Sequence, residues 1–187
     1  MNKKNLIYIL LIIVVVGVYY NYQKDDDSDS MSTINLSDTP IYQSDNMITN
    51  IYDISGEIIY KIESVKVRHF DESNNTEFDL PNLTIYDREH SATWNIHSQT
   101  ATLTNDKLIY LNQNVQLDNL TTDAQLQHVL TDNAIIDLTS QNVTSKDLVT
   151  IKGVGFFSTG QGLIGNLRTK TANILENIKT YYNTEAQ

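Results

Sequence analysis

Tyr60-Lys61-Ile62-Glu63-Ser64, Trp94-Asn95-Ile96-His97-Ser98 and His128-Val129-Leu130-Thr131-Asp132 decide the fold. Each run alternates large side chains with polar ones. Alternation over a few residues, bounded by turn formers, marks a half-buried strand. Their spacing says more. Tyr60, Trp94 and His128 are 34 residues apart, as are Ile62, Ile96 and Leu130, and Ser64, Ser98 and Asp132. A second alternating segment follows each: Val65 to His69, Thr100 to Leu103, Ala134 to Leu138. Val67, Ala101 and Ala134 correspond within one residue of the same period. Polar turns come next, at Glu72 to Asn75, Asn105 to Lys107 and Ser140 to Asn142. Further strands then follow: Glu77 to Leu80 with Leu83 to Tyr86, Leu108 to Leu111 with Val115 to Leu117, and Val143 with Val149 to Ile151. Helical repeats of similar length need apolar spacings of three and four, which these segments lack. A fixed period of short strands predicts stacked β layers, each burying its apolar face on the next. The fold class is therefore all-β: a twisted, elongated two-sheet sandwich with strand edges at both ends.

Ile62, Val67, Phe78, Leu80, Ile96, Ala101, Leu103, Val115, Leu117, Leu130, Ala134 and Ile136 are expected to point inward. A dry core and a groove for acyl chains need the same residue types, so the stripe fits both. Pro40 to Gln43 and Ile48 to Ile54 read as strands at the N-terminal end. At the other end, Arg168 to Tyr182 fits strand spacing through Ala172, Ile174, Glu176 and Ile178. It also fits helical spacing through Ile174, Ile178 and Tyr182. The β context makes it an edge strand, and an open edge is a template for another strand.

Composition narrows the function. The formal net charge is -10, which argues against a nucleic-acid partner, since that needs a basic face. There is no cysteine, so disulfides, thiolate metal sites and thiol catalysis are excluded. No Walker-type loop occurs. Gly153 to Gly160 superficially resembles one but lacks its Lys-Ser/Thr end, and reads as a turn and bulge. His69, His90, His97 and His128 show no metal-ligand spacing; His128 reads as a core or rim ring. No catalytic constellation, metal site or cofactor is expected, so an enzyme is not. At the N-terminus, Lys3 and Lys4 precede an uncharged apolar run, Leu6 to Tyr20. It ends in Tyr19, Tyr20, Asn21 and Tyr22 with no small-x-small cleavage site, which favours an uncleaved membrane anchor over a signal peptide. The positive-inside rule leaves the lysines cytoplasmic. The expected organisation is an anchor over 1–22, an acidic linker over 23–38 and a β domain over 39–187.

Four segments resemble the LptC family, the single-pass inner-membrane component of lipopolysaccharide export. They are TPIYQSDNMITNIYDISGEIIYKI from Thr39, TWNIHSQTATLTNDKLIYL from Thr93, TDNAIIDLTSQNVTSKDLVTIKG from Thr131 and GNLRTKTANILENIKTYY from Gly165. The resemblance implies a β-jellyroll, open along one side, that holds the acyl chains of lipopolysaccharide in the inward stripe together with Met47. It implies docking of an N-terminal edge, at Tyr42, Ile51 and Tyr52, on the transporter subunits LptF and LptG, which work with the ATPase LptB. It implies hand-off to periplasmic LptA at a C-terminal edge, at Gly153, Ala172, Ile174 and Tyr182. The anchor separates the family from its soluble sibling LptA, and places the bulk of the chain in the periplasm. Gly160 to Ile164 departs from the family pattern, which has a basic residue near position 164. The alternative is an anchored β scaffold that only docks partners at its edges.

Overall fold

The computed structural model describes residues 39–182 apart from residue 123. The described residues belong to one compact unit, Ser37–Gln187. The membrane segment expected at Leu6 to Tyr20 and the linker expected over 23–38 lie outside the described residues.

Within the described residues every regular element is a strand. The eleven strands are β1 (Tyr42–Tyr52), β2 (Ile58–Phe70), β3 (Asn75–Asp79), β4 (Asn82–Tyr86), β5 (Ala92–His97), β6 (Thr100–Leu103), β7 (Leu108–Asn119), β8 (Leu126–Asp137), β9 (Asn142–Gly153), β10 (Phe156–Asn166) and β11 (Thr171–Tyr182). They form one antiparallel sheet. The first half of β2 pairs with β4 and its second half with β3. β4 then pairs with β5, and β3 with β6. Both β5 and β6 rejoin β7. Thus β3–β4 and β5–β6 are each one layer made of two short strands. The other layers are single long strands. Every layer has two arms.

A corner at mid-length separates the arms, and its chemistry takes two forms. In some layers a residue adopts left-handed backbone: Asn46 (φ 52°), Leu80 (φ 50°), Gln113 and Asn114 (φ 64° and 54°), Gly162 (φ 77°) and Asn177 (φ 53°). Such residues break the pleat and turn the strand. In the others a buried hydroxyl sits at the corner. Ser64 Oγ lies 2.7 Å from the Lys66 carbonyl oxygen and 2.8 Å from that of Asp79. Ser98 Oγ donates to the Thr100 carbonyl at 2.9 Å. The Thr131 and Ser145 hydroxyls are 2.9 Å apart. Ser64, Ser98 and Ser145, the last by accepting from Asp147 N at 3.1 Å, satisfy backbone groups at the bend.

Alternation then fills the space between the arms. On one arm Ile62, Leu83, Ile96, Leu117, Val129 and Ile151 stand in register across successive layers. On the other, Val67, Phe78, Ala101, Leu111 and Ala134 do the same. Both rows belong to one buried cluster. Three expectations are corrected here. Leu80 does not face inward but is 52% exposed, because its left-handed backbone at the β3–β4 corner swings the side chain out. Leu130 is only half-buried, and Val129, at 2% exposure, holds the inner place. His128 lies on the outer face, where its Nδ1 meets Asp118 Oδ1 at 2.6 Å. The last two share a cause. The true third repeat is Val129, Thr131 and Ala134, 33 residues after Ile96, Ser98 and Ala101. A one-residue slip exchanges the faces of a strand. The segment that fitted both strand and helix spacing is strand from Thr171 onward, because β10 offers it a full ladder.

Candidate functional site

The arms bring most of the expected groove residues together. Ile62, Val67, Phe78, Ile96, Ala101, Val115, Leu117, Ala134 and Ile136 are all fully buried between them. Met47 and Leu103 are partly buried against the same cluster. Leu80 and Leu130 stand outside it.

Two side chains stitch the free ends of the arms. Tyr60 donates its phenolic proton to the carbonyl of Leu138, which follows β8. Trp94 Nε1 donates to the carbonyl of Leu167, which follows β10, at 2.8 Å. Gln141 Nε2 donates back to the Tyr60 hydroxyl at 3.2 Å. These partners lie 78, 73 and 81 residues apart in the chain, so no local pattern announces them. Burial raises the Tyr60 phenol above its ordinary value of 10.0, against a smaller lowering by the Gln141 hydrogen bond. The folded state therefore favours the neutral phenol. Its contribution is whole below the unfolded value of 10.0 and is lost as pH rises through the higher folded value. Thermal melts of the β domain should show an extra loss of stability above about pH 10 that the Tyr60→Phe chain lacks.

Beyond the stitched layers the space between the arms opens. A cavity of about 690 Å³ lies between β8–β10 on one side and the start of β11 on the other. Leu126, Ile151, Phe156 and Ile174 give it apolar walls, and Ala172 and Lys170 stand among its lining residues. Its size falls within the usual range for small-molecule sites. Ala172 and Ile174 are expected at the docking edge; the cavity that they also line depends on the gap between arms and not on any one strand.

Among the described residues both sheet ends are unpaired: β1 pairs only with β2, and β11 only with β10. Of the N-terminal edge residues, Tyr42 stacks on His69 with ring centroids 5.2 Å apart, Tyr52 is exposed, and Ile51 turns inward against the core. Of the C-terminal ones, Ala172 and Ile174 are partly buried against the core, Tyr182 is exposed, and Gly153 closes the β9–β10 hairpin. Two outer-face histidines make local polar contacts: Asp118 lies 2.6 Å from His128 Nδ1 and 3.9 Å from His97 Nε2. Among the described residues no cluster has the ligands to hold a metal ion.

Layers with two arms, an apolar space between them and a free edge at each end define an open β-jellyroll of stackable type. The family model described as "Lipopolysaccharide-assembly, LptC-related" matches residues 7–183, and the chain belongs to that family. It is 36% identical over 156 residues to the lipopolysaccharide export system protein LptC of Escherichia coli (strain K12), covering 83% of this chain and 81% of that one. It is 32% identical over 177 residues to the Haemophilus influenzae protein of the same name, covering 86% and 85%. Among solved structures, LptH of Pseudomonas aeruginosa, described as the LptA-homologous periplasmic component of the lipopolysaccharide transport device, superposes with a TM-score of 0.53. That match has 9% identity and covers 65% of this chain and 93% of that one. It supports the fold alone.

Proposed function

We propose that this chain is a non-enzymatic carrier in lipopolysaccharide export. It receives the lipid from the inner-membrane transporter, LptF and LptG with the ATPase LptB, and passes it to periplasmic LptA for delivery toward the outer membrane. Its acyl chains lie between the arms. The observation that carries this reading is the continuous inner row, which runs from Ile62 on β2 to Ile151 on β9 and ends at an open apolar cavity. Each buried methylene contributes about 0.8 kcal/mol, so a multi-chain lipid binds such a space even in a net-acidic protein. The free edges of β1 and β11 supply docking by strand addition, the first toward the transporter and the second toward LptA. The anchor at Leu6 to Tyr20 would hold the domain at the inner membrane, single-pass, with its bulk in the periplasm.

One observation favours a second reading. Phe78, Ile62 and Ile96 are fully buried and the arms are stitched at Tyr60 and Trp94, as in a dry scaffold that docks partners only at its edges. The carrier reading requires the arms to part there. Lipid extraction from the full chain, purified from membranes without added lipid, separates the two. The carrier reading expects co-purified lipopolysaccharide in the mass spectrum, reduced when Ile174→Asp places a charge in the cavity wall. A chain that comes free of lipopolysaccharide supports the scaffold.

A further inference from the structure

The inner row changes chemistry where it meets the cavity. From β2 to β9 it is apolar: Ile62, Leu83, Ile96, Leu117, Val129 and Ile151. The next residue in register, opposite Ile151, is Ser158 on β10, and opposite Ser158 is Thr180 on β11. Ser158 is only 9% exposed and lines the cavity. Its Oγ lies 2.8 Å from Thr180 Oγ1. Burying a hydroxyl costs free energy that a valine or isoleucine in the same row would not. The other buried hydroxyls, at Ser64, Ser98, Thr131 and Ser145, stand at the mid-length corner. Ser158 serves no such bend, because β10 and β11 turn at Gly162 and Asn177. It stands instead on the arm, beside the apolar walls Ile151, Phe156 and Ile174.

The hydrogen-bonding capacity of Ser158 defines the ligand it suits. A serine hydroxyl has one proton and two lone pairs. Its bond to Thr180 uses one of these, whichever partner donates. If Ser158 donates, it keeps two acceptor sites. If it accepts, it keeps its proton and one acceptor site. A ligand hydroxyl both donates and accepts, so it matches either arrangement. An ester carbonyl only accepts and matches the second alone. A plain hydrocarbon chain matches neither. We infer that Ser158 is a specificity residue for a hydroxylated acyl chain, bonding the chain's hydroxyl while Ile151 and Ile174 cover its methylenes. The inference rests on the carrier reading and deepens it by naming the class of acyl chain. A hydroxyl that enters an apolar cavity gives up its bonds to water, and this loss weakens binding unless a partner replaces them. Ser158 supplies that partner at the one point of the inner row where the cavity begins.

The test uses the full chain in phosphatidylcholine nanodiscs, with a photocrosslinker at Ile178, which is exposed and lines the cavity. The probes are a tritiated diacyl glucosamine phosphate with β-hydroxymyristoyl chains and the same compound with plain myristoyl chains. The readout is the concentration giving half-maximal capture of each. Comparing each probe between chains cancels any difference in how the two partition into the nanodisc. Ser158→Ala should raise the concentration needed for the hydroxylated probe by about three- to tenfold, the range for one hydrogen bond. It should leave the plain probe unchanged, which also shows that the cavity has kept its shape. Ser158→Thr, which retains a hydroxyl, should keep the wild-type ratio of the two. So should Thr159→Ala, which removes a hydroxyl from the opposite face of the same strand. An unchanged ratio in Ser158→Ala overturns the inference and leaves the carrier reading intact. Equal weakening of both probes by Ser158→Ala does the same, since it marks a structural role. Failure of the wild-type chain to capture either probe overturns the carrier reading and the inference with it.

Discussion

Gly153→Arg is expected to lower recovery of LptA in pull-downs by about tenfold or more, the scale set by a loss of roughly 1.4 kcal/mol or greater. Gly153 ends β9 and pairs with Phe156 across the Val154-Gly155 loop. A Cβ at Gly153 would stand 2.2 Å from Phe156 Cε1 and 2.4 Å from the Gln125 carbonyl oxygen. The ring could turn aside. The carbonyl is pinned, because it accepts from Val154 N at 3.0 Å. Phe156 begins β10, whose far side carries β11, so the displacement passes directly to the free C-terminal edge. It also reaches the cavity, since Gln125 and Phe156 both line it. The collision begins at the first side-chain atom. Gly153→Ala should therefore show most of the defect, which a pure charge effect of arginine would not. Unchanged recovery of LptA by Gly153→Arg would remove the C-terminal edge from the docking proposal.

Phe78→Asp and Leu80→Asp, two residues apart, should differ sharply in their effect on stability. Phe78 is 1% exposed and Leu80 is 52% exposed. Removing a buried Phe ring costs about 3–5 kcal/mol, and an unpaired buried carboxylate adds several more. The sum is comparable with the whole stability of a domain, about 5–15 kcal/mol. Urea denaturation of Phe78→Asp should show a severely weakened or absent cooperative transition. Leu80→Asp should stay within about 0.5 kcal/mol of the parent chain, as exposed substitutions do. Comparable losses at the two positions would mean that the β3–β4 corner does not turn Leu80 outward.

That pair also shows what a sequence can reveal about this fold. Alternation in YKIES and WNIHS identified the inner face because two strands with the same register expose the same chemistry. It put Ile62 and Ile96 correctly at the centre of the core. The period misled at the third repeat. HVLTD looks aligned to Trp94 through His128, yet the face is chosen by which residues the neighbouring layers can bury. Val129 opposite Leu117 won that choice. A signal for the shift was present in the small polar residues. Ser64, Ser98 and Thr131 mark alternate corners at spacings of 34 and 33. Leu80 was misplaced for a different reason, since nothing in a leucine announces left-handed backbone. The stitching by Tyr60 and Trp94 depends on carbonyl partners 78 and 73 residues away. Only folding brings those partners into reach.

The central claim is that lipopolysaccharide travels between the arms and not over their surface. The most direct test places photocrosslinkers at Ile96, Phe78 and Lys61 of the full chain in cells that make lipopolysaccharide. Ile96 and Phe78 are buried between the arms, whereas Lys61 pairs with Glu63 on the outer face. Capture of lipopolysaccharide at Ile96 and Phe78, with none at Lys61, is the predicted result. Capture at Lys61 alone would contradict the account.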